Sequence, residues 1–183
     1  ADSSKQTLQR DGDIAACQSA LSAAPPGMQL WAMIETCACI PQLWDIAALS
    51  ATTRLSLWVM GVNDLAKEMR ARLTPERTPF LPVLTLAVVA ARAHGVAILD
   101  GVCNEFRDME AFRAVAAQGV LFGFDGKTLI HPDQIAPCNE AFSPSEEELR
   151  WAQVLIEAFQ QPEAQGKGAI KVELYTDAPE RRF

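Results

Sequence analysis

The sequence has no apolar run of the roughly 18 residues that a bilayer-spanning helix needs, so a membrane is not an expected partner. It also lacks an excess of positive charge: 16 Lys and Arg stand against 23 Asp and Glu, for a net charge of −7. Nucleic-acid binders neutralise phosphates with clustered Lys and Arg, so that partner is not expected either. The opening stretch ADSSKQTLQR holds no apolar segment of the kind a secretory signal requires. Five cysteines (Cys17, Cys37, Cys39, Cys103 and Cys138) form no C-x-x-C pair and lie scattered among apolar neighbours. Thiols in that pattern suit a reducing compartment, and the expected location is cytoplasmic. No G-x-G-x-x-G follows a strand candidate, which weakens a dinucleotide-binding fold, and no Walker loop is present.

What is present is enough apolar material, 49% of 183 residues, to build a sizeable core. Short apolar runs alternate with longer helical segments. The strand candidates are LWAMIE (30–35), LSLWVMGV (55–62), GVAILDGV (95–102) and GVLFGFDG (119–126). They are nearly continuous in apolar residues, as parallel strands covered on both faces should be. Between them lie PQLWDIAALS, LPVLTLAVVAARAHG and DMEAFRAVAAQG, the last with Asp108 as N-cap and Gly119 at its C-terminal end. In SPSEEELRWAQVLIEAF, Ser143 is expected as N-cap with Glu146 closing a capping box, and Leu149, Ala152, Ile156 and Phe159 form a stripe. Strand–helix repetition of this kind predicts an α/β fold with a parallel sheet, either doubly wound or a (β/α)8 barrel. From about Gly166 the chain becomes rich in charge and glycine, as a tail does.

Ligands of such folds sit at the carboxyl ends of the strands. Glu35 ends the first strand candidate and Asp64 follows the second, in MGVNDL. Neighbouring strands lie about 4.8 Å apart, so the two carboxylates can share a cation, and hard oxygen donors suit Mg²⁺ better than zinc. The alternative is that each caps the helix that follows it. Asp100, at the third strand end, is a weaker candidate for the same site. Cys37 and Cys39 read as packing residues and His131 as a structural histidine before Pro132. Trp31, Trp44, Trp58 and Trp151 read as core. In GFDGKTLIHP (123–132), two glycines and Lys127 follow the last strand candidate, where backbone N–H groups and an ammonium can meet a phosphate.

MIET, GVNDL, AILDGV, GFDGKTLIHPDQI and NEAFSPSEEE occur in one order. In that order the chain resembles the HpcH/HpaI aldolase and citrate lyase family, most nearly its citrate lyase beta subunit (CitE-like) members, over about residues 30–179. The resemblance implies a (β/α)8 TIM barrel of which this chain covers the C-terminal half, strands five to eight, in residues 1–142. A C-terminal helix and tail would follow in 143–183. It implies a Mg²⁺-dependent carbon–carbon lyase, or the reverse condensation, on a 3-hydroxyacyl-CoA such as citryl-CoA or malyl-CoA. The products would be acetyl-CoA and a 2-oxo acid, oxaloacetate or glyoxylate. By the same resemblance Glu35 and Asp64 are metal ligands, and Gly123, Gly126 and Lys127 help hold CoA. Asp177, in TDAP, is a catalytic residue acting in a neighbouring subunit of a homo-oligomer, a trimer or hexamer. The chain departs from the family in having Cys37-Ala38 after MIET where Pro-Arg is usual, and Asn63 where an acidic residue is usual. Strands one to four, with the arginine that stabilises the enolate, are not among its residues. Two alternatives follow: a metal-dependent aldolase on free hydroxy-oxo acids, and a non-catalytic CoA-binding subunit.

Overall fold

The computed structural model describes residues 11–161, and the chain divides into two compact units, Ala1–Phe142 and Ser143–Phe183. The first unit begins with α1 (Asp11–Ala20), β1 (Leu30–Ile34), α2 (Leu43–Ala48), β2 (Leu55–Met60) and α3 (Val62–Met69). It continues with α4 (Leu81–Ala93), β3 (Ala97–Asp100), α5 (Met109–Phe122), β4 (Gly126–Lys127) and α6 (Ile135–Phe142). The four strands form one parallel sheet in the order β1-β2-β3-β4. Sequential parallel strands joined by helical crossovers are the repeating pattern of a (β/α)8 barrel, and four of them make half of one.

The register explains which face is core. Ala32 pairs with Trp58 and Trp58 with Ile98, while Ile34 pairs with Met60. All five side chains are buried. They pack under Leu43 and Ile46 of α2, Leu65 of α3 and Leu84, Ala87 and Ala91 of α4 in one continuous cluster. Each fully buried aliphatic or aromatic side chain of that layer contributes roughly 1.5–3 kcal/mol over its exposed state. The opposite face carries Trp31, Met33, Leu57, Val59 and Leu99; Trp31 is 63% exposed, Met33, Leu57 and Leu99 are half-buried and Val59 is buried. So the apolar strands expected to be covered on both faces are, among the described residues, fully covered on one and partly on the other. Their second apolar face corresponds to the inner wall of a barrel. Of the tryptophans expected in the core, Trp58 is buried, whereas Trp31, Trp44 and Trp151 are exposed.

Two expected boundaries move. Residues 119–122 belong to α5, and the last strand is only Gly126–Lys127. The run GVLF looked strand-like because it is wholly apolar, yet Val120 and Leu121 lie on the solvent side of the helix. The helix stops at Gly123, whose left-handed φ of 88° is one that side chains resist, and not at Gly119. Gly119 serves packing instead, since a Cβ there would stand 3.2 Å from an Asp100 carboxylate oxygen and 3.2 Å from the Phe142 ring. At the other end of α5, Asp108 is the N-cap, accepting from the N–H groups of Glu110 and Ala111. In the second unit, α7 (Glu146–Gln160) is capped by Ser145 with Glu148, two residues later than Ser143 with Glu146. Three successive glutamates let either serine satisfy the spacing, and Ser145 is the one that forms both bonds.

Candidate active site

Glu35 is the first residue beyond β1, and Gly61 the first beyond β2, in continuation of the Ile34–Met60 pair. The Gly61 N–H donates to the Ile34 carbonyl (2.9 Å), so the two strand ends stay in register to the point where Glu35 leaves. The Glu35 side chain lies directly over Gly61: a Cβ there would be 2.3 Å from the Glu35 Cβ and 2.7 Å from its Oε2. Gly61 is also the N-cap of α3, and Asp64 is the third residue of that helix, exposed in its first turn. Alternation along β1 puts Glu35 on the side of Trp31 and Met33, the face that becomes a barrel's interior. Glu35 and Asp64 therefore emerge from adjacent strand ends at one mouth of the sheet. Among the described residues no group of three or more His, Cys, Asp or Glu side chains could hold a metal alone. Any ion held by these two carboxylates must complete its shell with water or substrate oxygens, as Mg²⁺ commonly does.

The loops around this mouth are tied to one another. The Cys37 N–H donates to Glu68 Oε2 (2.8 Å), linking the chain after Glu35 to α3. Asn63 and Asn104 exchange amide hydrogen bonds (3.0 and 2.9 Å), linking α3 to the loop after β3. The Gln134 side chain donates to the Cys103 carbonyl (3.3 Å), bringing in the loop after β4. Gly101 allows the close approach beneath, since a Cβ there would meet the Met60 carbonyl oxygen at 2.7 Å.

Asp100, the weaker third candidate, is withdrawn from the mouth. It lies on the helix-facing side of the sheet, fully buried, with Arg77 Nη1 at 2.6 Å on one oxygen and Lys127 Nζ at 2.9 Å on the other. Arg77 also donates from Nε to Gln118 (2.7 Å) and adopts a left-handed φ of 53°, a strained conformation held by these partners. Lys127 pairs with Asp100 across β3 and β4, and its ammonium also donates to the Gly101 carbonyl. Burial pushes the Lys127 pKa down, against the pull of the Asp100 carboxylate. Its side chain has no exposed surface, so this ammonium faces a carboxylate inside the protein and not the solvent.

The neighbouring glycines likewise have structural tasks. Gly123 ends α5, and Gly126 passes so near β3 that a Cβ would touch Leu99 at 3.0 Å. Between them Asp125 accepts from both Arg92 Nη atoms (2.9 and 2.7 Å) and from the Ile98 N–H (2.8 Å). His131 accepts from the Asp133 N–H through Nδ1 (3.3 Å) and stacks on Phe106 at 5.1 Å, the structural part expected of it. Cys39, Cys103 and Cys138 are buried thiols. Asp177 lies outside the described residues. Sequence reasoning passed over Gly61, Arg77 and Asn104. Only Gly61 had a local signal, a glycine between a strand and the helix bearing a candidate ligand.

The fold is a half-barrel of the α/β class, with Glu35 and Asp64 beyond the carboxyl ends of its first two strands. The chain belongs to the HpcH/HpaI aldolase/citrate lyase family, whose model matches residues 5–132. It is 46% identical over 159 residues to (3S)-malyl-CoA thioesterase of Cereibacter sphaeroides, a match covering 87% of this chain and 55% of that one. It is 39% identical over 112 residues to the mitochondrial citramalyl-CoA lyase of Homo sapiens, covering 61% and 33% respectively. The chain spans about half the length of the thioesterase. Among solved structures it is similar to CitE of Mycobacterium tuberculosis in complex with magnesium, acetoacetate and coenzyme A. There the TM-score is 0.68 at 23% identity, over 91% of this chain and 58% of that one. RipC of Yersinia pestis gives 0.71 at 24% identity, over 78% and 64%. The likeness to these solved structures confirms the barrel fold, and the family includes lyases.

Proposed function

We propose that this chain forms the metal-binding half of an enzyme acting on a 3-hydroxyacyl-CoA thioester of the malyl-CoA or citryl-CoA class. The reaction is carbon–carbon cleavage to acetyl-CoA and a 2-oxo acid, or its reverse. The observation that carries the reading is the placement of Glu35 and Asp64 just beyond the registered, adjacent ends of β1 and β2, with Glu35 packed over a glycine that has no room for a side chain. Two carboxylates, with no group of three or more such donors among the described residues, fit Mg²⁺ completed by water or substrate oxygens. When bound, the ion supplies Lewis-acid polarisation of the 2-oxo acid carbonyl and neutralises developing negative charge. Glu35 and Asp64 would hold it, Glu35 directly after β1 and Asp64 in the first turn of α3, so both are presented by backbone tied to the sheet before substrate arrives. Asp177 is proposed as the acid/base in trans. Given the buried position of Lys127, its proposed part in holding CoA is to keep Asp100 and the loop after β3 in place.

A second reading is hydrolysis of the thioester of the same substrate, favoured by the 46% identity to relatives named (3S)-malyl-CoA thioesterase. Both use the carboxylate-bearing end of the substrate as a handle for the metal, and they differ in the bond broken. Incubating the chain with malyl-CoA and Mg²⁺ separates them: glyoxylate and acetyl-CoA mark cleavage, and malate and free CoA mark hydrolysis. Glu35→Gln is expected to abolish either product. Binding of CoA that persists without Mg²⁺, with no product formed, would leave the non-catalytic CoA-binding module as the better account.

A further inference from the structure

We propose that Asn104 is a positioning residue for the metal site: through Asn63 it locks the first turn of α3, and with it Asp64, against the loop that leaves β3. The inference rests on the reading of Glu35 and Asp64 as metal ligands. Its basis is a closed amide pair. Asn63 Nδ2 donates to Asn104 Oδ1 (3.0 Å) and Asn104 Nδ2 donates back to Asn63 Oδ1 (2.9 Å), across 41 residues of sequence.

Both side chains are exposed, so the pair adds little to global stability, since net hydrogen-bond contributions of exposed groups are small. What it does restrain is local. The N-cap of α3 is Gly61, and no side chain caps the helix start. A glycine is needed there because Glu35 occupies the space, and the usual Ser, Thr, Asp or Asn cap is thereby excluded. Buried Val62 and Leu65 hold the inner side of the first turn, but its exposed side, which carries Asp64, has no capping bond and lacks a comparable hold. Asn63 is the residue immediately before Asp64, and the amide pair supplies that hold.

The anchor at the other end is firm. In the three residues before Asn104, the Gly101 carbonyl accepts from the buried Lys127 ammonium and the Cys103 carbonyl from the buried Gln134 amide. An amide suits position 63 better than a carboxylate, because a carboxylate accepts but cannot donate and would forfeit one of the two bonds. It would also add a third negative charge beside the two that match a divalent ion.

Mn²⁺ binding to the full 183-residue chain, followed by electron paramagnetic resonance, tests this. Asn104→Ala and Asn63→Ala are each expected to weaken Mn²⁺ binding about tenfold or more, the usual cost of removing a group that orients a ligand. The double variant should be no weaker than either single one, because both break the same pair. Metal-free melting should be unchanged, which separates positioning from support of the fold. Asn63→Asp should weaken binding in spite of its added charge. The proposal is overturned if Asn104→Ala binds like the parent, if the two losses multiply, if metal-free melting falls in step, or if Asn63→Asp binds more tightly. When the parent binds Mn²⁺ and Glu35→Gln does not, a normal Asn104→Ala defeats the clip alone. A parent that binds no Mn²⁺ defeats the metal reading and the clip with it.

Discussion

Gly61→Ala would place a Cβ 2.3 Å from the Cβ of Glu35, a contact that only movement of the backbone or of Glu35 can relieve. The expected outcome is loss of Mg²⁺ binding by titration calorimetry. Lys127→Met leaves the buried Asp100 carboxylate with Arg77 as its remaining cation. Breaking a buried ion pair from one side costs about 3 kcal/mol or more, and urea denaturation should show it. Asp125 gives a pH test. Burial alone would raise its pKa, but the Arg92 guanidinium and the Ile98 N–H outweigh burial and hold the carboxyl below its ordinary value. A depressed carboxylate stabilises the fold above the unfolded value of about 3.9, and that contribution is lost as pH falls through the folded value. The stability gap between parent and Asp125→Asn should therefore be widest at neutral pH and close below about pH 4 in urea melts. The partly exposed pair is screened by solvent, so the gap itself will be modest. At this scale the placement of Glu35 and Asp64 beyond adjacent strands was legible, because strand ends and carboxylates are both local signals. The sequence did not disclose that Lys127 and Asp100 face each other, because that pairing depends on the register of β3 and β4, 27 residues apart.

Elements were legible where one signal dominated. β1, β2 and β3 fall inside their apolar runs, and α5 starts at its capping aspartate. The expected strand at 119–126 failed because a wholly apolar run fits a helix end as well as a strand, and the deciding residue was the glycine that stops it. Gly123→Ala tests that boundary: forcing a side chain into φ 88° should cost roughly 1–2 kcal/mol by thermal or urea denaturation. Had Gly119 been the terminus, the change at 123 would be nearly neutral. For α7 the ambiguity lay between two serines two residues apart, and only the hydrogen bonds of Ser145 settle it.

At the scale of the whole molecule, the dominant feature is a sheet whose inner apolar face is only partly covered and whose edge strands β1 and β4 each have one unpaired side among the described residues. Unpaired parallel edges and a contiguous apolar face promote association. The 183-residue chain is expected to sediment as oligomers or larger assemblies in analytical ultracentrifugation, and a well-folded monomer would contradict that. No helix among the described residues is long and apolar enough to cross a membrane, as the hydropathy of the sequence already indicated. The barrel class was readable from strand–helix alternation together with the order of the short motifs. The partial cover of the inner face was not, because an apolar strand has the same composition whether or not something lies across it.

The contact between Glu35 and Gly61 also orders the history of the two positions. While residue 35 keeps its carboxylate, any side chain at 61 collides with it. A lineage can therefore lose Gly61 only after Glu35 has been replaced by something smaller or the strand ends have parted. Among descendants of this chain, a side chain at position 61 should mark a protein whose residue 35 no longer serves the ion, legible without an assay.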